Sequence, residues 1–146
     1  MQQIDVKKLP SFEDARGSLG VVEGGDLPFD VKRMYYLYNV PEGAIRGEHG
    51  HKKLEQLMMC MAGEIMVTLT DGLSRREVLL TGPDQAVHVR PGLWRSIRFI
   101  KPGSVLCVLA SRPYEPDDYI HSYDEYVEWA RTHRHDAAAM LESEIQ

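Results

Sequence analysis

The sequence predicts an all-β domain, a sandwich or jelly roll, closed by a short C-terminal helix. Three observations carry this. Short apolar and β-branched runs recur at roughly ten-residue spacing from Ile4 to about Ala110. Gly and Pro pairs separate them. No helical periodicity interrupts the series until after Pro116, which argues against an α/β fold.

Eight runs read as strands. Ser18–Glu23 follows the turn Arg16-Gly17. Val31–Asn39 carries Tyr35, Tyr36 and Tyr38; alternation puts Tyr36 and Tyr38 on one face and Tyr35 on the other. Gln56–Met61 and Glu64–Thr70 are divided by Ala62-Gly63, and the hairpin turn Asp71-Gly72 leads to Ser74–Leu80. Gly82-Pro83 precedes Ala86–Val89, Pro91-Gly92 precedes Trp94–Phe99, and Pro102-Gly103 precedes Val105–Ala110. Beyond Pro116, Ser122-Tyr-Asp-Glu125 has the form of a capping box, and Tyr123, Tyr126, Val127 and Ala130 keep helical spacing. The helix is expected from about Ser122 to the low 130s, with a continuation over 136–144. The 146 residues make one domain, with the β portion over about 4–112 and the helical segment over about 117–144.

A formal net charge of −5 argues against general nucleic-acid binding, which needs a basic footprint. A local cluster still suits a small anionic ligand, and Arg16, Arg33, Arg46, Arg90, Arg95 and Arg98 recur near the motifs below. No stretch reaches the ~18 apolar residues that span a bilayer. The N-terminus lacks an apolar signal core, so the expected location is the cytoplasm. Cys60 and Cys107 sit in apolar runs and read as reduced, buried thiols.

Arg46-Gly-Glu-His49-Gly-His51-Lys-Lys-Leu-Glu55 is the densest chemical signal. Two histidines two apart in an extended segment project from one face. The stretch resembles the first motif of the cupin superfamily, where His, His and Glu usually hold a metal. The second cupin motif would supply a histidine after a Pro-Gly turn, and here that turn reads Pro91-Gly92-Leu93-Trp94-Arg95. A guanidinium cannot ligate a metal and would repel one. His49 and His51 therefore read as an acid/base pair, with no metal and no cofactor expected. Neutral imidazole near its reference pKa of ~6.5 can take and return a proton at physiological pH. Trp94 and Arg95 should point in opposite directions, one to core and one to pocket. Arg46 suits phosphate recognition. One of Lys52 and Lys53 is expected beside the site. Glu55 either fixes a histidine tautomer or pairs with a lysine.

The longer stretch Arg46 to Gln56 resembles the signature of the dTDP-sugar 3,4-ketoisomerases. Asp14-Ala-Arg16-Gly-Ser-Leu19, Pro28-Phe-Asp-Val-Lys-Arg33-Met-Tyr35-Tyr36, Val108-Leu-Ala-Ser111, Tyr114-Glu-Pro-Asp-Asp-Tyr119-Ile and Tyr123-Asp-Glu-Tyr126 are similar to further elements of that family, over roughly residues 4 to 130. The resemblance implies a metal-free cupin jelly-roll barrel and a homodimer that exchanges N-terminal strands. It implies a dTDP-linked 4-keto-6-deoxyglucose substrate, isomerised to a 3-keto sugar on the way to 3-amino-3,6-dideoxyhexoses of surface polysaccharides or natural products. It assigns His49 and His51 to acid/base catalysis; carbon proton transfer is expected of His49 and the oxygen proton of His51, with the reverse assignment left open. It places Arg46 near the bound nucleotide-sugar, with Arg16, Arg33 and Tyr36 as further pocket residues; Arg95 should lie near the sugar, and Lys53 is taken as the lysine beside the site. Several members carry histidine where this chain has Arg95, which leaves the C4 configuration of the product open. The competing readings are a cupin epimerase of dTDP-keto-sugars, a metal-dependent cupin oxygenase and a non-enzymatic sugar sensor.

Overall fold

A computed structural model describes residues 5–133. The strands, in chain order, are β1 (Asp5–Lys8), β2 (Ser11–Asp14), β3 (Gly17–Gly20), β4 (Arg33–Leu37), β5 (Ile45–His51), β6 (Gln56–Ala62), β7 (Ile65–Thr70), β8 (Arg75–Leu80), β9 (Gln85–Val89), β10 (Trp94–Phe99), β11 (Val105–Ala110) and β12 (Tyr119–Ile120). A helix, α1, occupies residues 123–133. The continuation over 136–144 lies outside the described residues.

Two five-stranded antiparallel sheets face each other, ordered β1-β9-β6-β11-β4 and β12-β5-β10-β7-β8. Their inner faces enclose one core that includes Met58, Cys60, Ile65, Val67, Leu80, Val87, Ile97, Phe99, Leu106 and Val108. This is the expected jelly roll. Strand β6 is apolar on both faces because both are covered. Met58 and Cys60 point to the core, while Leu57 and Met59 meet Leu9, Val22, Leu27 and Phe29 of the N-terminal segment. That second, outer cluster had no counterpart in the strand reading. Cys60 and Cys107 are both free. No helix among the described residues is long and apolar enough to cross a membrane.

Trp94–Phe99 and Val105–Ala110 form strands with the expected bounds. Val31–Asn39 contracts to Arg33–Leu37. The strand expected over Ser18–Glu23 is instead Gly17–Gly20, paired with an unexpected partner, β2. The polar sequences of β1 and β2, Asp-Val-Lys-Lys and Ser-Phe-Glu-Asp, carry no clean alternation; pairing with β9 and β3 recruits them.

Strand β5 positions the site. Its pairing with β10 runs Arg95 opposite His49 and Ile97 opposite Arg46, so three steps on β5 match two on β10. The extra residue makes a bulge, and Gly47 sits in it at φ 66°. Without the bulge, Arg46 and His49 would face opposite sides; with it, both face the interior. Between the histidines, Gly50 gives α1 its docking space: a Cβ there would lie 2.9 Å from the Tyr126 ring. Tyr126 is fully buried, and its hydroxyl donates to the carbonyls of Gly92 (2.7 Å) and Thr70 (3.1 Å). The backbone N–H of Glu125 donates to Ser122 Oγ at 3.3 Å, one arm of the expected cap.

Candidate active site

The histidines of β5, Arg95 of β10, Arg33 and Tyr35 of β4 and Tyr119 of β12 converge at the open end of the barrel. A cavity of about 330 Å³ is lined there by Arg33, Tyr35, Arg46, His49, Arg95 and Tyr119 among others. A wider groove of about 710 Å³ crosses the outer face of the second sheet past Thr68, Arg75 and Trp94, and no histidine lines it.

The His49 and His51 rings stand edge to face, 4.8 Å apart, as the in-phase spacing requires. Tyr119, in register with His51, packs on both rings, at 5.0 Å from His49 and 4.3 Å from His51. His121 stacks on Tyr119 at 5.4 Å, and its ring lies 6.0 Å from that of His49. Arg95 is only 3% exposed. Its Nη2 donates to His49 Nε2 at 2.5 Å and to the Tyr35 hydroxyl at 3.3 Å. Gln56 Nε2 donates to the same hydroxyl at 2.7 Å. Trp94, the neighbour of Arg95, turns the other way and packs on Tyr123 and Tyr126. Pocket and core are thus split across the pair as alternation requires.

Burial and charge set the protonation of both imidazoles. Desolvation is the largest cause for His49 and lowers its pKa to about 3, assisted by the Arg95 and His121 charges. Desolvation, then Arg95, His49, Arg33 and His121, lower His51 to about 2. The expectation of imidazoles near their reference pKa is therefore corrected. With the cavity empty, both rings are neutral throughout the physiological range, because a cation there would lose its water and face arginines.

The two histidines are not equivalent. His49 lines the cavity. His51 is 3% exposed, and neither ring nitrogen has a hydrogen-bond partner among the described residues. Its Nδ1 lies 3.8 Å from Asp118 Oδ2. That carboxylate is already engaged: it accepts from the backbone N–H groups of Lys53 (2.8 Å) and Leu54 (3.0 Å), fastening the turn after β5.

The other expected site residues separate. Arg33 lines the cavity, with its guanidinium over the Tyr35 ring at 5.2 Å and the Tyr114 ring at 5.8 Å. Its Nε and Nη2 are buried without hydrogen-bond partners among the described residues. Arg46 stands at the mouth. Tyr36 touches the rim but lies on the outer face of β4, its ring tilted against that of Tyr38 at 5.8 Å. Lys53 is not in the cavity. The Asp118-held turn leaves it exposed in a separate cleft with Lys52, Arg112 and Tyr114. Arg16 sits at the tip of the β2–β3 hairpin with its side chain 90% exposed and bonded to Asp14 at 2.7 Å, outside the cavity of its own chain. Glu55 does bond a histidine, but it is His88 (Nε2, 3.0 Å), which also meets Asp5 at 3.4 Å and helps tie β1 to the body. The set His49, His51 and Glu55 that a metal would need is therefore not gathered at one point.

Tyr35, Gln56, Tyr119 and His121 belong to the site without having been expected there. Alternation set Tyr35 opposite Tyr36 but left open which face was the interior. Tyr119 lies in a two-residue strand that has no pattern of its own.

The chain is similar to known proteins over most of its length. The family model described as FdtA: WxcM-like, C-terminal matches residues 2–131. The chain is 39% identical over 114 residues to the TDP-4-oxo-6-deoxy-alpha-D-glucose-3,4-oxoisomerase of Aneurinibacillus thermoaerophilus, a match covering 77% of this chain and 82% of the relative. It superposes with a TM-score of 0.84 on QdtA, a sugar 3,4-ketoisomerase from Thermoanaerobacterium thermosaccharolyticum, in complex with TDP; identity is 35%, covering 88% of this chain and 95% of the other. A mutant of that isomerase in complex with TDP-4-keto-6-deoxyglucose gives a TM-score of 0.86 at 34% identity, covering 90% and 96%.

Proposed function

This chain belongs to the FdtA family of WxcM-like, C-terminal proteins, and we propose that it converts TDP-4-keto-6-deoxyglucose to the 3-keto isomer. It is an isomerase of TDP-linked sugars. The observation that carries the mechanism is the cavity itself: one neutral, cavity-lining histidine beside a buried arginine, ringed by further arginines.

The reaction exchanges a ketone and a neighbouring hydroxyl and is redox-neutral within the sugar. The C4 ketone acidifies the C3 proton. His49, neutral and desolvated, removes it as base, leaving an enediolate across C3 and C4, and returns a proton at C4. In the empty cavity Arg95 donates to His49 Nε2, so the nitrogen is engaged. Substrate entry moves that guanidinium to the sugar oxygens, which frees the base and stabilises the enediolate. Arg33, with two unpartnered buried nitrogens, and Arg46, at the mouth, suit the diphosphate. The diphosphate charge offsets the arginines and lets His49 hold the proton it has taken. A second proton passes from O3 to O4, and His51, its ring 4.8 Å from that of His49, serves this transfer between the oxygens. No step calls for a metal or a cofactor.

Assembly as a strand-exchanging homodimer is supported by the β2–β3 hairpin. Every residue of both strands is exposed, and Phe12 (63%) faces Leu19 (62%) across the ladder. An isolated hairpin bearing an apolar pair is marginal in water and gains from burial against a second copy. The substrate-binding role of Arg16, at its tip, depends on that neighbour. Tyr36 would act from the rim. The expected setting is the cytoplasm, where nucleotide sugars are made into 3-amino-3,6-dideoxyhexoses.

NMR of the protein with TDP-4-keto-6-deoxyglucose in D₂O, with a 3-aminotransferase to trap product, tests the reading. A 3-amino sugar carrying deuterium at C4 is the expected result, and its coupling constants give the C4 configuration. A ketone that stays at C4 while C3 or C5 inverts would make the protein an epimerase.

A further inference from the structure

Resting on the isomerase reading, we propose that Leu37, Ile97 and Leu106 form a slot for the C6 methyl group of the sugar, and that burying this methyl is how the chain selects 6-deoxyhexoses. The cavity has two chemically different parts. Arg33, His49 and Arg95 line one; Leu37, Ile97 and Leu106 line the other. The apolar part draws on both sheets. Leu37 and Leu106 are direct partners across the β4–β11 ladder, and Ile97 comes from β10. All three pack into the same cluster of the core. Leu106 and Ile97 are 0% and 1% exposed, so the slot they border is shielded from bulk water.

Register puts this slot one step from the chemistry. Arg95 and Ile97 are two residues apart on β10, which pairs regularly with β7 there, so both side chains face inward about 7 Å apart. Arg95 lies opposite His49, and Ile97 opposite Arg46. The reading above gives Arg95 the oxygens at C3 and C4, and Arg46 the diphosphate on C1. On the other side of a pyranose ring, C4 leads to C1 through C5 and the ring oxygen, and C5 carries the methyl. The path from Arg95 along β10 to Ile97, and across to Arg46, follows that order round the sugar. Gly47 keeps the slot open: a Cβ there would lie 3.2 Å from Ile97 Cδ1.

The slot reads one substituent. Leucine and isoleucine side chains offer no hydrogen-bonding atom, so a 6-hydroxyl placed against them loses its water without a replacement. A sugar without C6 leaves the slot unfilled, and the lining loses its contacts.

TDP-6-deoxyglucose and TDP-xylose differ only in the C6 methyl, and neither is a ketone. Their affinities, measured by calorimetry, therefore test the slot without turnover. The wild type should bind TDP-6-deoxyglucose about ten- to a hundredfold more tightly than TDP-xylose, the ordinary worth of such a group in a fitted apolar pocket. It should also prefer TDP-6-deoxyglucose to TDP-glucose. Ile97→Ala enlarges the slot and moves the ratio toward one. Leu37→Phe, at a half-buried position, fills the slot and reverses the preference in favour of TDP-xylose. Each ratio compares two ligands on one protein, so a merely loosened core leaves it unmoved. Equal affinities in the wild type overturn the proposal, and so does a ratio unchanged in both variants. If Ile97→Ala fails to fold, the wild-type ratio and the Leu37→Phe reversal decide. A wild type that shows the preference but does not isomerise TDP-4-keto-6-deoxyglucose loses the isomerase reading and keeps the slot. One that isomerises without the preference loses the slot alone, and one that binds none of the three sugars loses both.

Discussion

At the scale of the residue, the site is governed by what Arg95 does to His49. A carboxylate partner would raise an imidazole's pKa. Here burial and a guanidinium lower it to about 3. Since kcat/KM reports the free enzyme, its acid limb should lie well below pH 6.5. Initial rates from pH 4 to 8 at subsaturating substrate check this; a limb near pH 6.5 would mean that the ring is solvated. Arg95→Met removes one of the lowering causes and leaves burial, so the limb moves upward only part of the way. The rate falls as well, because the enediolate loses its cationic donor. The placement of both residues at the cavity was legible in sequence: two histidines in phase, and an arginine where the related turn ends in a ligand. The perturbed pKa was not, because desolvation is a property of the closed cavity. Tyr35 and Tyr36 illustrate the same limit. Alternation separates them, but only the packed sheets show that Tyr35 is the inward one.

At the scale of the element, β5 is the determining strand. The spacing of His49 and His51 needs nothing beyond ordinary alternation. The inward placement of Arg46 needs the bulge, and the bulge uses Gly47 at positive φ. A Cβ at Gly47 would also lie 3.2 Å from Ile97 Cδ1. Gly47→Ala should destabilise the fold by about 1–2 kcal/mol, the cost of a left-handed backbone for an L side chain. Gly50→Ala should cost about 1–3 kcal/mol, as overpacking does, because its Cβ meets the Tyr126 ring at 2.9 Å and displaces α1. Urea unfolding of both variants gives the comparison. A Gly50→Ala protein as stable as wild type would mean that Tyr126 relaxes without loss. Neither glycine announced this in the sequence, since a bulge and a docking helix are facts of pairing and packing. The position of Lys53 outside the cavity was hidden for the same reason: Asp118, 65 residues away, fastens its backbone and leaves its side chain outside.

At the scale of the whole molecule, burying two neutral histidines links stability to pH. Both pKa values are lower folded, about 3 and about 2, than the unfolded value of ~6.5. Between these limits the unfolded chain binds more protons than the native one, so stability rises with pH there. The contribution is complete above ~6.5 and is lost progressively as pH falls toward 3. Urea midpoints should drop between pH 7 and pH 5, before most carboxylates titrate, and a His49→Asn, His51→Asn double variant should flatten that slope. The jelly-roll architecture itself was readable from strand spacing and turn chemistry, and Trp94–Phe99 and Val105–Ala110 needed no adjustment. The N-terminal strands were not readable, because polar residues pair there by position and not by pattern.

The central claim is that His49 moves the carbon proton in a cavity whose arginines bind the nucleotide sugar independently. The most direct measurement is His49→Asn assayed in parallel for isomerisation of TDP-4-keto-6-deoxyglucose and for TDP affinity by calorimetry. The account predicts turnover lost and affinity close to wild type. Retained turnover would remove His49 from the chemistry and contradict the account.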